Sequence, residues 1–141
     1  ANSGFVVVNI SDPLDPVFAG GYMPDDVDLW NPFVLGDFMY VCNHGAGTGE
    51  LQILNVTDPW HVSQTGFYDV NGTVFAAYVE GDIAYLADAE KGLLVVNVND
   101  PLNPELLCSF YDGGLAVNLD VVGDMIYVAE REGGLEIFQL S

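Results

Sequence analysis

Runs of aliphatic residues closed by an Asp-Pro pair recur along the chain at nearly constant spacing. Phe5-Val6-Val7-Val8-Asn9-Ile10 leads to Asp12-Pro13, Leu51-Gln52-Ile53-Leu54-Asn55-Val56 to Asp58-Pro59, and Leu93-Leu94-Val95-Val96-Asn97-Val98 to Asp100-Pro101. A shortened copy stands at Leu135-Glu136-Ile137-Phe138-Gln139-Leu140. Their first residues lie 46, 42 and 42 positions apart. Aliphatic, largely β-branched runs predict strands, and proline, lacking an N–H, ends each one. A fixed period of this size is the mark of a repeat architecture.

Other patterns repeat in step. Gly-Asp pairs at Gly36-Asp37, Gly81-Asp82 and Gly123-Asp124 each follow a short apolar stretch and lead into another. The second stretches are Phe38-Met39-Tyr40-Val41-Cys42, Ile83-Ala84-Tyr85-Leu86-Ala87 and Met125-Ile126-Tyr127-Val128-Ala129. A two-residue loop with glycine first is the chemistry of a type II′ hairpin, because glycine takes the positive φ required there. After each Asp-Pro comes a shorter strand ending in an aromatic, over residues 17–22, 63–68 and 105–110. Loops with glycine at residues 45–49, 91–92 and 133–134 return the chain to the aliphatic strand. No helical period competes.

Four short antiparallel strands every 42–46 residues predict an all-β chain of propeller-like blades. With strands named A to D, A entering the Gly-Asp hairpin and C the aliphatic one, the chain reads C-D, A-B-C-D, A-B-C-D, A-B-C. That is 13 strands, three blades and one strand more, in one repeat domain over 1–141. The repeats fall at about 4–49, 50–92 and 93–134, with a truncated one at 135–141. Propellers close with about four to eight blades, so this chain is not expected to close a ring alone.

The segment from Gly81-Asp82, through Tyr85 and Ala87, to Gly92-Leu93, Val95-Val96-Asn97-Val98 and Asp100-Pro101 resembles the LVIVD repeat of bacterial and archaeal surface proteins. The resemblance extends over the whole chain and implies a β-propeller-like scaffold at a cell surface, with no reaction attached. The aspartate that gives the repeat its name is replaced by Asn9, Asn55, Asn97 and Gln139.

Composition narrows the class. Half of the 141 residues are hydrophobic, which excludes a disordered chain. No apolar run approaches the ~20 residues of a membrane-spanning helix. The first residues, Ala1-Asn2-Ser3, fit a processed mature protein or a piece of a longer one. Lys91 and Arg131 stand against 21 acidic residues, a formal net charge of −19. A phosphate backbone needs neutralising cations, so nucleic acid is excluded as a partner, as is direct insertion in a membrane. The acid coat serves solubility or a salty medium, or is bridged by divalent cations.

Individual residues offer little chemistry. His44 and His61 have no zinc-ligand spacing with Cys42 or Cys108, and no serine sits in a nucleophile elbow, so no enzyme activity and no cofactor are expected. Asp12, Asp58 and Asp100 precede prolines, where aspartate closes a turn on its own backbone. If calcium is held, Asp25, Asp26 and Asp28 form the least repetitive acidic run and are the expected ligands. Cys42 and Cys108 are expected as two buried small apolar residues, with a disulfide between them, or between molecules, as the alternative. Three glycosylation sequences occur, at Asn9, Asn55 and Asn71. A structural demand for Asn or Asp explains the first two, since Asn97 holds the same repeat position without the motif. Asn71 lies in an Asn-Gly turn, where a glycan would stand clear.

The open blade count carries the functional expectation. The chain is read as an extracellular or cell-surface, non-enzymatic glycoprotein that assembles with copies of itself into a filament or polymer. Head-to-tail strand complementation would join Gly4 to Tyr22 of one copy and Leu135 to Ser141 of another. Phe5, Val7, Ile10, Leu135, Ile137, Phe138 and Leu140 are expected at that seam. Two copies carry 26 strands, which is not divisible by four and weighs against a closed two-copy ring. The alternatives are a section of a longer surface propeller used for binding or adhesion, and a propeller enzyme whose catalytic residues lie elsewhere.

Overall fold

The computed structural model describes residues 3–44 and 49–140. Residues 45–48 of the first glycine loop and Ser141 lie outside the described residues. Among the described residues thirteen strands form four antiparallel sheets. Blade 1 is β1 (Phe5–Asn9) and β2 (Val17–Tyr22). Blade 2 runs β3 (Leu29–Leu35), β4 (Phe38–Asn43), β5 (Glu50–Asn55) and β6 (Ser63–Asp69). Blade 3 runs β7 (Val74–Glu80), β8 (Ile83–Asp88), β9 (Gly92–Asn97) and β10 (Glu105–Phe110). Blade 4 stops at three: β11 (Ala116–Val122), β12 (Met125–Glu130) and β13 (Gly134–Gln139). Spatial order follows chain order in every sheet, and β3 and β11 both lie against β7, which sets the A strands innermost.

Local chemistry explains the regularity. Gly36, Gly81 and Gly123 take φ of 61°, 57° and 59° at the first hairpin position, as a II′ turn requires. The next residue then ties the hairpin to the end of the aliphatic strand. The Asp37, Asp82 and Asp124 carbonyls accept the N–H groups of Val56, Val98 and Leu140 at 2.9, 2.8 and 2.7 Å. The far end of each B strand is fastened alike, with His44, Ala89 and Arg131 N–H donating to the carbonyls of Asp28, Thr73 and Leu115.

Alternation along the aliphatic strand divides its side chains between two neighbouring blades. Leu51 and Ile53 pack with Tyr40 and Cys42 against Val79, Leu86, Leu94 and Val96 of blade 3. One blade on, Leu93, Tyr85 and Ala87 meet Ile126, Val128 and Phe138 of blade 4. Phe5 and Tyr22 of blade 1 cover Met39, Val41 and Leu54 of blade 2. The first and third residues of the strand therefore face the following blade, the second and fourth the preceding one.

At the ends this packing has no partner. Leu135 is 62% exposed, whereas its repeat equivalents Leu51 and Leu93 are 0% and 5% exposed. Val6 and Val8 are 56% and 43% exposed, against 2% and 0% for Leu94 and Val96. Of the residues expected at an assembly seam, Ile10, Leu135 and Ile137 are exposed. Phe5, Phe138 and Leu140 are instead turned into seams within the chain, and Val7 shares the side of Phe5. A strand apolar on both sides does not declare in its sequence which side is left free.

Equivalent leucines should thus differ sharply in worth. In dilute protein, Leu51→Ala is predicted to cost about 2–5 kcal/mol, and Leu135→Ala no more than about 0.5 kcal/mol, by urea denaturation.

Candidate functional site

The repeated polar residues at the end of the aliphatic strand form turns. The Oδ1 atoms of Asn9, Asn55 and Asn97 accept the N–H of Ser11, Thr57 and Asn99 at 2.9, 3.0 and 2.9 Å. Asp12, Asp58 and Asp100 do the same for Leu14, Trp60 and Leu102, closing the Asx turns expected before proline. Hydrogen bonds from the His61 ring and the Trp60 N–H hold the Asp58 carboxyl below its usual range. Asn103 and the Leu102 N–H do so for Asp100. Asn71 also has a structural reason: it is exposed at φ 49° and donates its N–H to Asp69 Oδ1 at 2.8 Å, a conformation asparagine tolerates.

The acidic run of the first linker is dispersed among other tasks. The Ser3 hydroxyl donates to Asp28, and this bond, with one from the Trp30 side chain, lowers the Asp28 carboxyl. Asp26 is exposed at φ 57°, and among the described residues Asp25, Asp26 and Asp28 do not bring oxygens together as a cation site. His44 stacks on Trp30 at 5.5 Å, meets Phe75 edge-on and bonds the Val74 carbonyl. His61 is exposed and pairs with Asp58 at 2.7 Å. Trp60, half-exposed, packs edge-on against Phe18 at 5.4 Å.

Cys42 is buried as expected, and Cys108 is not. Both are free thiols, so no disulfide joins them. Cys42 fills the small-residue position held by Ala87 in the next blade, between sheets. Cys108 lies on β10, opposite Val95, where Gly20 and Gly66 lie opposite Val7 and Ile53 in earlier blades. Those glycines are covered by the Pro59 and Pro101 turns of the following blade. Blade 4 has no such turn among its described residues, and Cys108 stays open.

Acidic side chains do converge elsewhere, at the seam of blades 3 and 4. Asp112, on the loop between β10 and β11, meets Glu130 at the end of β12 and Glu136 on β13, with one oxygen of each within 4.8 Å of the others. Glu136 pairs opposite Val128, so both glutamates lie on the side of blade 4 that faces blade 3. Glu130 is 8% exposed, and its Oε2 accepts no hydrogen bond. Burial, then the Asp112 charge, pushes the Glu130 carboxyl up. Burial, then Asp112, raises Glu136 as well, while the Gly114 N–H and then Glu136 lower Asp112.

Corresponding places in the other blades hold different polar sets, each also with one unpaired buried oxygen, Gln52 Oε1 in blade 2 and Asp88 Oδ2 in blade 3. In blade 2 the amides of Asn43 and Gln52 both donate to Glu50 Oε1, at 2.9 and 2.6 Å. In blade 3 the buried Asp88 accepts the N–H of Glu90 and Lys91 through Oδ1, at 2.8 and 2.7 Å, and leaves Oδ2 unpaired. Sequence reasoning missed this position. Its signal was a polar residue closing every B strand: Asn43, Asp88 and Glu130.

Residues 1–24, 72–112 and 113–141 match the family model of the LVIVD repeat. The chain belongs to the LVIVD-repeat family. A comparison with curated proteins gives no match. The LVIVD matches cover blades 1, 3 and 4, and the section between them is blade 2, where Glu50 replaces the Gly92 and Gly134 of the other LVIVD repeats. Asparagine in place of the name-giving aspartate costs the LVIVD turn nothing, because either side chain supplies the accepting Oδ1. Among the described residues no helix is long and apolar enough to cross a membrane.

Thiol chemistry tests the blade frame directly. Burial pushes the Cys42 thiol up to about 12, so it is neither accessible nor ionised near neutrality. A colourless disulfide reagent that releases a coloured thiolate should titrate Cys108 alone in the native protein at pH 8. Cys42 should react only after unfolding; prompt reaction of both thiols would contradict the blade 2 seam.

Proposed function

We propose that this LVIVD-repeat chain is a structural module without catalytic chemistry, whose open blades dock further blades, in the first instance those of its own copies. One observation carries the reading. The positions that form every internal seam, Leu51 and Ile53 against Leu94 and Val96, are exposed at the two ends as Leu135 and Ile137, and as Val6 and Val8. The two ends are unlike and match in the way neighbouring blades match. Joining them is a heterologous contact, which grows into a filament unless the rotation closes. β1 and β13 also lie at sheet edges, where a strand of another copy can add main-chain hydrogen bonds.

An extracellular or cell-surface setting is part of the reading. It is supported by the likeness to surface proteins and by sequons at Asn9, Asn55 and Asn71, of which Asn9 and Asn71 are exposed. The same open faces also suit a section of a longer surface propeller that binds or adheres. Particle mass separates the two: a native chain near 15 kDa found only in large assemblies supports self-assembly, and a chain two or three times longer supports the second.

Charge sets the conditions. Each copy carries −19, and at ~0.15 M salt charges within about 8 Å still repel, so association should strengthen with ionic strength. Light scattering of the purified chain in rising salt is expected to show growing assemblies. Ile137→Asp, which puts a charge on the open face, should hold the protein as a folded monomer. A parent chain that stays monomeric at high salt and concentration, or one that forms only discrete ring-shaped dimers by electron microscopy, would sink the filament.

A further inference from the structure

Three carboxylates share the seam of blades 3 and 4 with no basic side chain among them. Lys91 is turned to the Val70 carbonyl, and among the described residues Arg131 makes no ion pair. We propose that Asp112, Glu130 and Glu136 bind a divalent hard cation, calcium by preference, which fastens the last blade to the one before it.

Geometry and donor chemistry both point this way. The converging oxygens lie within 4.8 Å of one another, about the widest separation of two ligands on one calcium ion at ~2.4 Å. Magnesium, at ~2.0–2.1 Å, demands near-ideal octahedral geometry and gives up its water reluctantly, so three carboxylates on flexible ground suit calcium better. An all-carboxylate group is hard and does not suit the softer metals that select thiolate or imidazole.

The buried Glu130 adds a second observation, because here the unpaired oxygen belongs to a carboxylate set among other carboxylates. Its Oε2 is closed off from solvent and receives no donor, an arrangement that costs free energy unless a cation or proton compensates it. Backbone on two sides makes room for that carboxylate, because a Cβ at Gly114 or at Gly133 would overlap it. Blade 2 shows the ordinary solution at the same repeat positions, two amide donors on one carboxylate. Blade 4 replaces both amides with glutamates and brings Asp112 as a third acid. The donors are gone and a positive ion takes their role.

The site is separate from the open end faces, so its test reads on dilute single chains. Chelated protein is titrated with calcium chloride in a calorimeter and melted with and without the ion. One calcium per chain is expected, bound in the millimolar range or tighter, with a higher melting temperature in its presence. Asp112→Asn alters an exposed residue and Glu136→Gln a partly exposed one; each should weaken binding about tenfold or more by removing a charged ligand. Asp26→Asn should bind as the parent does. Glu130→Gln, which restores an amide at the position of Asn43, should remain folded by circular dichroism and lose the calcium response. The proposal is overturned if the parent shows neither heat nor a melting shift, if Asp112→Asn and Glu136→Gln bind unchanged, or if magnesium binds more tightly than calcium.

Discussion

Every blade depends on its neighbour, because one aliphatic strand supplies the apolar side chains for two seams at once. Its odd residues fill the gap ahead and its even residues the gap behind, so no blade completes its own core. The rest of the repeat serves that contact. Cys42 and Ala87 keep the B strand thin where Leu51 and Leu93 are buried. The Asp-Pro turn, besides ending the strand, lies on the preceding blade: Gly21 N–H donates to the Pro59 carbonyl at 3.0 Å, and Gly20 and Gly66 lack the Cβ that would collide with Pro59 and Pro101. Stability in such an array is close to a sum over seams, and end blades have one seam where inner blades have two.

Much of this was readable in the residues. Strand number, order and pairing followed from the repeated Gly-Asp, Asp-Pro and aliphatic signals, because each is a local demand: positive φ for glycine, a missing N–H for proline, an Asx acceptor for Asn55 or Asp58. The free side of each strand was not readable. Phe5-Val6-Val7-Val8 is apolar on both sides, and only the position of blade 2 decides that Phe5 turns inward and Val6 outward. Cys108 gave no hint of exposure either, since its covering depends on a turn in the following blade.

The acidic cluster was hidden for a related reason. Asp112, Glu130 and Glu136 come from a loop and two strands, and each alone looks like one more acid in a chain with 21. The run Asp25, Asp26 and Asp28 is conspicuous by adjacency, yet it passes through a turn with Asp26 at φ 57° that does not gather the three carboxylates, and Asp28 is held by Ser3. In a repeat protein the informative comparison is between equivalent positions. Asn43, Asp88 and Glu130 close the same strand, but their side chains meet one carboxylate, two backbone N–H groups and two further acids.

Charge and cohesion are reconciled by where the acids stand. Asp12, Asp58 and Asp100, with Asp37, Asp82 and Asp124, sit exposed at turns along the blade ends, where water and salt screen them. The bulk of each seam is Leu, Ile, Val, Tyr and Ala, with buried polar residues only toward one end, and that apolar packing is indifferent to ionic strength in a way that repulsion between copies is not. The seam of blades 3 and 4 differs, because it brings three acids to a partly closed place at an end blade. A counter-ion there would add cohesion at an end blade, and would do so without disturbing the apolar contacts that the other seams share.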